Sequence, residues 1–476
     1  MIGKSFSELV FIRLAIACIR LVTPLSIAYL AADCYVGRIL VSPVLALYAL
    51  AEALFYSAVF FPRRIRMQKA AAHPPRMSRT ERKELFDKCA QMMTAQSTEG
   101  WFSQSSLSRI QQGNVIEWLL WALFSTDAGH NLGEWEEELN SYISVFTTII
   151  GYPLDTGSNG ELKTMRLTLD PVVMIHRPLI WYTIVALVDT ITSVSLYSRG
   201  FNHFNTQTWL HVFPPRPFLS LISNTSTKPD IPYWYRPHRS SSKLPILFIH
   251  GIGIGVWPYL SFFSDVIKQD PDVGILVLEI LPISMRITSP PLDREAMCSA
   301  IQQILDTHSL PRVVVVSHSY GTVITAHLFR FQELSSRIAA TLFVDPIPFL
   351  LHHPSVAYNF VYRAPRDANE WQLWFFASRD PDIARALSRH FFWFESVLWK
   401  EELEGKRVVV SLAEKDQIVD AGAVRKYLTG EDAIHTRWKK DGLEVLFHHD
   451  LDHASVFDAK DRWTTLVEVL HGLVRE

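Results

Sequence analysis

Cysteines are scarce in this chain of 476 residues, which has only four. Cys18, Cys34, Cys89 and Cys298 show neither a metal-binding spacing nor a disulfide framework, so a disulfide scaffold and a zinc ribbon are excluded as fold classes. Excess charge of either sign is also lacking, because 46 basic side chains stand against 48 acidic ones. A nucleic-acid surface is expected to be basic, and we therefore expect no nucleic-acid partner.

Phosphate-loop glycine patterns are missing as well. The glycines of FIHGIGIG (248–255) do not have the Gly-x-Gly-x-x-Gly spacing, and no Gly-Lys-Ser/Thr follows them. A nucleotide cofactor would require one of these patterns to bring backbone amides close to its phosphates. We expect neither a cofactor nor a metal ion.

Long apolar runs, in contrast, are present near the N-terminus. Residues 39–61 carry one charge, Glu52, and the basic sequence RRIRMQK follows them almost directly. A helix of this length can cross the hydrocarbon core of a bilayer, and a basic flank is typically retained in the cytosol. A weaker run at 14–32 contains Arg20. Residues 1–69 are thus predicted to form a membrane anchor of two transmembrane helices, which leaves the rest of the chain in the cytosol.

Two other interpretations of the anchor exist, and a third apolar run complicates it. A cleaved secretory signal could end near Ala32, but Arg20 within the run and the stronger run after it argue against that. The pair could also be buried helices. The third run, 177–201, is interrupted by Asp189, which favours a helix packed on the catalytic domain or lying in the membrane interface over a third span.

Residues 70–240 are predicted to be a helical region and linker. Ser78 and Glu81 form a capping-box pattern at the start of one helix. An apolar helical run follows Asn114. STKPDIPYWYRPHRSSSKLP (226–245) is rich in proline, serine and basic residues, which is typical of a linker into a new domain.

From Leu244 onward, short apolar runs alternate with helical patterns. LPILFIH, GILVLEIL, RVVVVSH, AATLFVD and KRVVVSLAEKD are apolar throughout. Strands that are apolar on both faces and alternate with helices predict an α/β fold with a mostly parallel sheet covered on both sides. Functional residues of such sheets lie at the carboxyl ends of the strands.

The stretch RVVVVSHSYGTVITAH (312–327) places Ser319 between a buried strand and a helix, with the small residues Ser317 and Gly321 on either side. Such a turn could simply cap the helix with Ser319. The stretch also resembles the nucleophile elbow of the α/β-hydrolase family, whose pattern is Gly-x-Ser-x-Gly. The match departs from that pattern at one position, where Ser317 replaces the first glycine.

The resemblance implies further site residues. Ser319 would be the nucleophile, and the backbone N–H groups of Ile252 and Tyr320 would form the oxyanion hole. The general base would come from LFHHDLDHASVF (446–457). His453 corresponds best to the family's histidine, whereas His448 and His449 lie too close to the strand. A metal site built from His448, His449, Asp450, Asp452 and His453 is the alternative for this segment.

The acid that orients the histidine has more than one candidate. Asp416 follows the strand VVVSLAEKD and occupies the family's usual acid position. Asp345, at the end of TLFVD, is the alternative acid, although Asp-Pro at a strand end also makes a good turn. Asp420 is a third candidate, better explained as a helix cap.

Residues 346–404 interrupt the alternation of strands and helices and are rich in aromatic residues. By the resemblance they form a cap over the site, within a catalytic domain at 244–476. Their aromatic side chains would line an apolar pocket or pack on the N-terminal helices. The whole chain resembles the membrane-anchored α/β-hydrolases of fungi, which implies a serine hydrolase acting on an ester or thioester of an apolar, lipid-like substrate. An acyltransferase with the same triad and a non-catalytic membrane protein of this fold are the alternatives.

Overall fold

The computed structural model describes residues 2–102, 109–127, 132–205, 211–226 and 231–475. Within them, ten strands form one sheet. The strands are β1 Asn202–Asn205, β2 Asn224–Thr225, β3 Tyr233–Arg236, β4 Ile246–Ile249, β5 Ile275–Leu278, β6 Val313–His318, β7 Ile338–Val344, β8 Arg407–Ala413, β9 Arg437–Lys440 and β10 Leu443–His448.

The α-helices of the described residues fall into three groups along the chain. The first group is α1 Phe6–Val36, α2 Pro43–Leu54, α3 Phe61–Met67, α4 Arg79–Ala90, α5 Ala95–Glu99, α6 Gln112–Phe124, α7 Glu136–Ile150, α8 Leu179–Ser198 and α9 Pro217–Ile222. The second is α10 Leu260–Gln269, α11 Arg294–Thr307, α12 Gly321–Arg330 and α13 Gln332–Ser335. The third is α14 Ser355–Ala357, α15 Ala368–Leu373, α16 Pro381–His390, α17 Trp393–Ser396, α18 Ala421–Thr429 and α19 Lys460–Leu473.

The sheet has the order β2-β1-β3-β5-β4-β6-β7-β8-β10-β9. The six central strands, which are β5, β4, β6, β7, β8 and β10 in sheet order, are parallel to one another. At the two sides, β3 pairs antiparallel with β5 and β9 pairs antiparallel with β10. Alternate residues of β4 enter different apolar clusters, Ile246 and Phe248 on one face and Leu247 and Ile249 on the other. The predicted α/β fold with a sheet covered on both sides is confirmed.

The sheet begins earlier in the chain than predicted. Residues 226–245 were expected to be a linker, but β3 lies inside them and pairs with β5 (residues 227–230 lie outside the described residues). Tyr233 and Trp234 of β3 are fully buried. Aromatic residues favour strands, and this signal outweighs the flanking prolines and serines, which lie outside the four paired residues.

Helices fill the interval between β7 and β8, as predicted for the cap. Both roles expected for its aromatic residues are present. Phe375 packs with Ile12 and Ile16 of α1, whereas Phe391 and Phe392 line the cavity at Ser319. The cap therefore lies between the N-terminal helices and the sheet.

Three helices of the described residues are long and apolar enough to cross a membrane: α1, the continuous helix Pro43–Met67, and α8. The first two leave most of their apolar residues exposed. Glu52 of the second helix is fully buried and joins all three helices. Its carboxylate accepts hydrogen bonds from the Thr23 hydroxyl at 2.5 Å and from the Leu179 amide at 2.7 Å.

Candidate active site

The residues predicted to form the site all follow the carboxyl ends of parallel strands. They are Ile252 after β4, Ser319 after β6, Asp345 after β7, Asp416 after β8 and His453 after β10. Because neighbouring parallel strands end at the same edge of a sheet, five segments far apart in sequence meet there.

Ser319 lies in a strained turn. Its φ of 50° is in the left-handed region, which non-glycine residues adopt at an energetic cost and mostly at functional positions. The turn also requires glycine at 321, because a Cβ there would lie 2.3 Å from the Ile249 carbonyl oxygen. The first turn of α12 therefore lies directly against the end of the neighbouring strand β4.

A chain of hydrogen bonds runs from this serine through two further side chains. Ser319 Oγ is 2.8 Å from His453 Nε2, and His453 Nδ1 is 2.7 Å from Asp416 Oδ2. All three side chains are buried or nearly so. Asp416 also accepts hydrogen bonds from the amides of Ile418 and Val419, which hold its carboxylate towards the histidine.

Electrostatics at His453 follow from these contacts. Burial alone would lower the pKa of the imidazole, but the charge of the adjacent Asp416 carboxylate and its hydrogen bond raise the pKa of His453 to about 9. The negative charge of Asp345 acts in the same direction. The site therefore stabilises an imidazolium, the form that a histidine takes when it accepts a proton from a serine.

Asp345, the alternative acid, has a different partner. Its Oδ2 accepts a hydrogen bond from the Ala454 amide at 2.7 Å, and Ala454 has a φ of 65°. The carboxylate thus binds the backbone next to His453 rather than the imidazole. Asp420, the third candidate, caps α18 by accepting from the Ala423 amide.

The donors of the alternative metal site each have a partner of their own. His448 Nε2 is 3.0 Å from Ser411 Oγ, His449 pairs with Glu414, and Asp450 pairs with Lys415. A metal ion needs its ligand atoms to converge on one point, and these side chains do not. A closer group of ligand atoms, within 4.8 Å of one another, belongs to Asp345, Asp416 and His453.

The segment predicted to supply the oxyanion hole lies against the serine. A Cβ at Gly251 would be 2.9 Å from the Ser319 Cβ, so only glycine allows this approach. His250 holds the segment in place, since its Nε2 accepts from the Ile280 amide at 3.0 Å and its Nδ1 is 2.7 Å from the Gly251 carbonyl. The first contact leaves the proton on Nδ1, and burial lowers the pKa of His250.

Two residues of the site were not identified from the sequence. His318 is buried beside Ser319, and its Nδ1 is 2.8 Å from the Tyr259 hydroxyl. That hydroxyl also accepts from the Gly251 amide at 3.2 Å. His318 and Tyr259 thus connect the turn at Ser319 to the glycine segment that contains Gly251. His318 stands within the elbow pattern itself, but Tyr259 carries no sequence signal that would separate it from a core aromatic residue.

Comparisons with known proteins give solved structures that resemble part of this chain at low sequence identity. No family model matches the chain, and no curated protein sequence matches it. Among solved structures, a carboxylesterase of the thaumarchaeon Nitrososphaera gargenis has 13% identity and a TM-score of 0.38, over 52% of this chain and 98% of that one. A bacterial membrane phospholipase A has 12% identity and a TM-score of 0.40, over 62% and 94%. A lipase from Acinetobacter baumannii AYE, described as putative, has 10% identity and a TM-score of 0.40, over 60% and 96%.

The fold itself is decided by features of this chain. A parallel sheet with antiparallel flanking strands carries a serine on a strained strand-to-helix turn. An acid and a histidine follow later in the chain, in that order, after β8 and β10. Together, this sheet, this turn and this order of residues identify the α/β-hydrolase fold.

Proposed function

We propose that this chain is a membrane-attached serine hydrolase that cleaves an ester or thioester of an apolar acid. The observation that carries the proposal is the continuous hydrogen-bonded chain from Ser319 through His453 to Asp416, which begins at a strained turn. A structural serine would need neither the strain nor the buried imidazole.

In the proposed reaction, Ser319 Oγ attacks the carbonyl carbon and its proton passes to His453 Nε2. The Asp416 carboxylate stabilises the imidazolium and keeps the ring in place. The amides of Ile252 and Tyr320 donate to the oxyanion. His453 then protonates the leaving group, and a water molecule activated by the same histidine releases the acid from Ser319.

An apolar acyl group is supported by the cavity beside Ser319. Aromatic and aliphatic residues dominate its walls, among them Phe360, Phe391 and Ile418. In the described part of the chain, no acidic or basic side chain lines it, so a charged acyl group would lose its hydration without gaining a partner.

Membrane attachment is assigned to residues 1–69, with the catalytic domain on the cytosolic side. The apolar helices α1 and Pro43–Met67 supply the anchor, and the last turn of the second helix carries Arg64 and Arg66 as exposed basic residues. Arg63 turns inward instead and pairs with Asp382 of the cap at 3.0 Å. The anchor is therefore tied to the helices that cover the site.

A fluorophosphonate probe, which reacts with activated serines, tests the proposed nucleophile directly. We expect the full-length protein to be labelled and Ser319→Ala to remain unlabelled. Ser411→Ala serves as the matched control, because Ser411 is a buried strand serine beside a histidine but is not part of the proposed triad. Labelling that survives in Ser319→Ala, or is lost in Ser411→Ala with the fold intact, would contradict the assignment.

A further inference from the structure

A second cavity lies behind the one that opens at Ser319. It is lined mainly by residues of the helical region, including Phe86, Trp118 and Leu119. Three tryptophans, Trp101, Trp121 and Trp393, line both cavities. They therefore form a partition between the two, which we name the tryptophan wall.

Each indole of the tryptophan wall is held by a hydrogen bond from its ring nitrogen. Trp101 donates to the His352 carbonyl at 3.1 Å. Trp121 donates to Thr168 Oγ1 at 3.1 Å, and Trp393 donates to the Ala122 carbonyl at 3.0 Å. Rotating one of these rings aside would leave its N–H without its hydrogen-bond acceptor, so the three bonds hold the wall in place.

Most of the wall comes from outside the predicted catalytic domain. Trp101 and Trp121 belong to residues 70–240, for which the sequence indicated only helices. Leu167 of the same region lines the first cavity. The helical region therefore completes the binding cavity that the sheet and the cap begin.

We infer that the tryptophan wall sets the length of the acyl chain that this enzyme accepts. The inference rests on the proposed function, since it places the acyl chain of the Ser319 ester in the first cavity with its methyl end against the wall. The substrate class is then an ester or thioester of an unbranched fatty acid. Each methylene buried in the cavity strengthens binding, and a chain that reaches the wall finds no further apolar volume.

The test is a series of p-nitrophenyl esters from acetate to palmitate, assayed with the full-length protein in detergent. Each kcat/KM is divided by the same protein's value for acetate, whose acyl group is too short to reach the wall. In the unaltered protein we expect this ratio to rise about fourfold per added methylene up to one chain length and then to stop rising. Trp121→Leu opens the wall and should move that maximum to longer acids.

Trp118→Leu is the matched control. Trp118 lies one turn before Trp121 on α6, is equally buried, and lines only the second cavity. This change should leave the maximum where it is. If Trp121→Leu does not fold, Trp393→Phe, which removes the bond to the Ala122 carbonyl and shortens the ring, provides the same test.

The outcomes separate the two proposals. If the unaltered protein hydrolyses no ester of the series and takes no fluorophosphonate, the proposed function fails. If it hydrolyses the series but the maximum is the same in Trp121→Leu and Trp393→Phe, the inference about the wall is overturned. It is also overturned if Trp118→Leu moves the maximum as far as Trp121→Leu does.

Discussion

At the scale of single residues, the two acidic candidates near His453 have separate tasks. Asp416 contacts the imidazole nitrogen, whereas Asp345 contacts the Ala454 amide in the histidine loop. Both carboxylates are buried, and both raise the pKa of His453. Replacing each aspartate in turn by asparagine, which is neutral and nearly isosteric, separates their contributions to the charge of the imidazole.

Asp416→Asn should reduce kcat by about 10⁴, the loss seen when the acid of a serine protease triad becomes its amide. The amide cannot stabilise an imidazolium and favours the wrong tautomer of the ring. Asp345→Asn should lose far less, because its amide oxygen can still accept from the Ala454 amide. Both variants are compared with Ser319→Ala by kcat/KM on a short-chain aryl ester and by Tm. An inactive Asp345→Asn beside an active Asp416→Asn would reverse the assignment.

The pH dependence of kcat/KM should show an acidic limb with its midpoint above the ordinary histidine value. Only neutral His453 accepts the serine proton, and the nearby carboxylates raise the pKa of His453 to about 9. Activity should therefore increase as pH rises through that pKa. Asp345→Asn removes one of the negative charges, which lowers the pKa of His453 and moves the midpoint to lower pH. A midpoint that does not move in this variant would show that Asp345 carries no charge in the free enzyme.

Ser317, which replaces the first glycine of the elbow pattern, is expected to reduce the stability of the fold. Its hydroxyl is buried in β6 without a hydrogen-bond partner, and an unpaired buried hydroxyl costs roughly 1–3 kcal/mol. Ser317→Ala should therefore raise Tm. Ser411→Ala, which removes a hydroxyl bonded to His448, should lower it. Thermal unfolding measures the Tm of both variants. A lower Tm in Ser317→Ala would mean that the Ser317 hydroxyl has a hydrogen-bond partner in solution.

At the scale of elements, α8 is apolar enough to cross a membrane but differs from the other two apolar helices in how its sides are used. One side is buried, with Asp189 bonded to Arg216 at 2.9 Å and to Arg286 at 2.6 Å. The opposite side exposes an apolar stripe at helical spacing: Ile180, Ile184, Leu187, Ile191, Val194 and Tyr197. Such a helix suits a position along the membrane surface, packed on the protein and facing lipid with its stripe.

A chain shortened to begin at Met77 should leave membranes more readily than the full chain but keep some affinity for lipid vesicles through α8. Adding Leu187→Glu and Ile191→Glu should abolish the remaining binding, because both side chains belong to the exposed stripe. Sedimentation with vesicles measures binding, and fluorophosphonate labelling shows that the shortened chain is folded. If the shortened chain stays on membranes until detergent is added, the anchor lies outside residues 1–76.

At the scale of the whole molecule, Glu52 connects the two N-terminal apolar helices to the body of the protein. Besides Thr23 and Leu179, it contacts His176 Nε2 at 3.0 Å. Glu52→Ala would leave three polar groups, one buried and two partly buried, without their acceptor, and we expect the free energy of unfolding to fall by about 3 kcal/mol or more. Glu84→Ala, at an exposed position of α4, is the control and should change Tm little. Equal Tm values for the two variants would show that this junction contributes nothing to stability.

Prediction from the sequence succeeded where the signal is local. The valines of β6 predict a buried strand, and Ser78 with Glu81 predicts the capping box that the structure shows at α4. It failed where pairing across the sheet decides the structure, as at β3, a four-residue strand whose burial depends on β5. No feature near Trp101 or Trp121 indicates that either residue lies near Ser319.

The sequence by itself determined the fold class, the apolar helices and the positions after strands where Ser319, Asp416 and His453 stand, because these follow from periodicity and strand ends. Only the tertiary structure decided that Asp416 rather than Asp345 contacts the imidazole, that α8 lies on the body, and that tryptophans of the helical region close the cavity. The physical reason is that hydrogen bonds and packing join side chains over hundreds of residues. Their partners depend on distances of a few ångströms, which no local pattern of amino acids specifies.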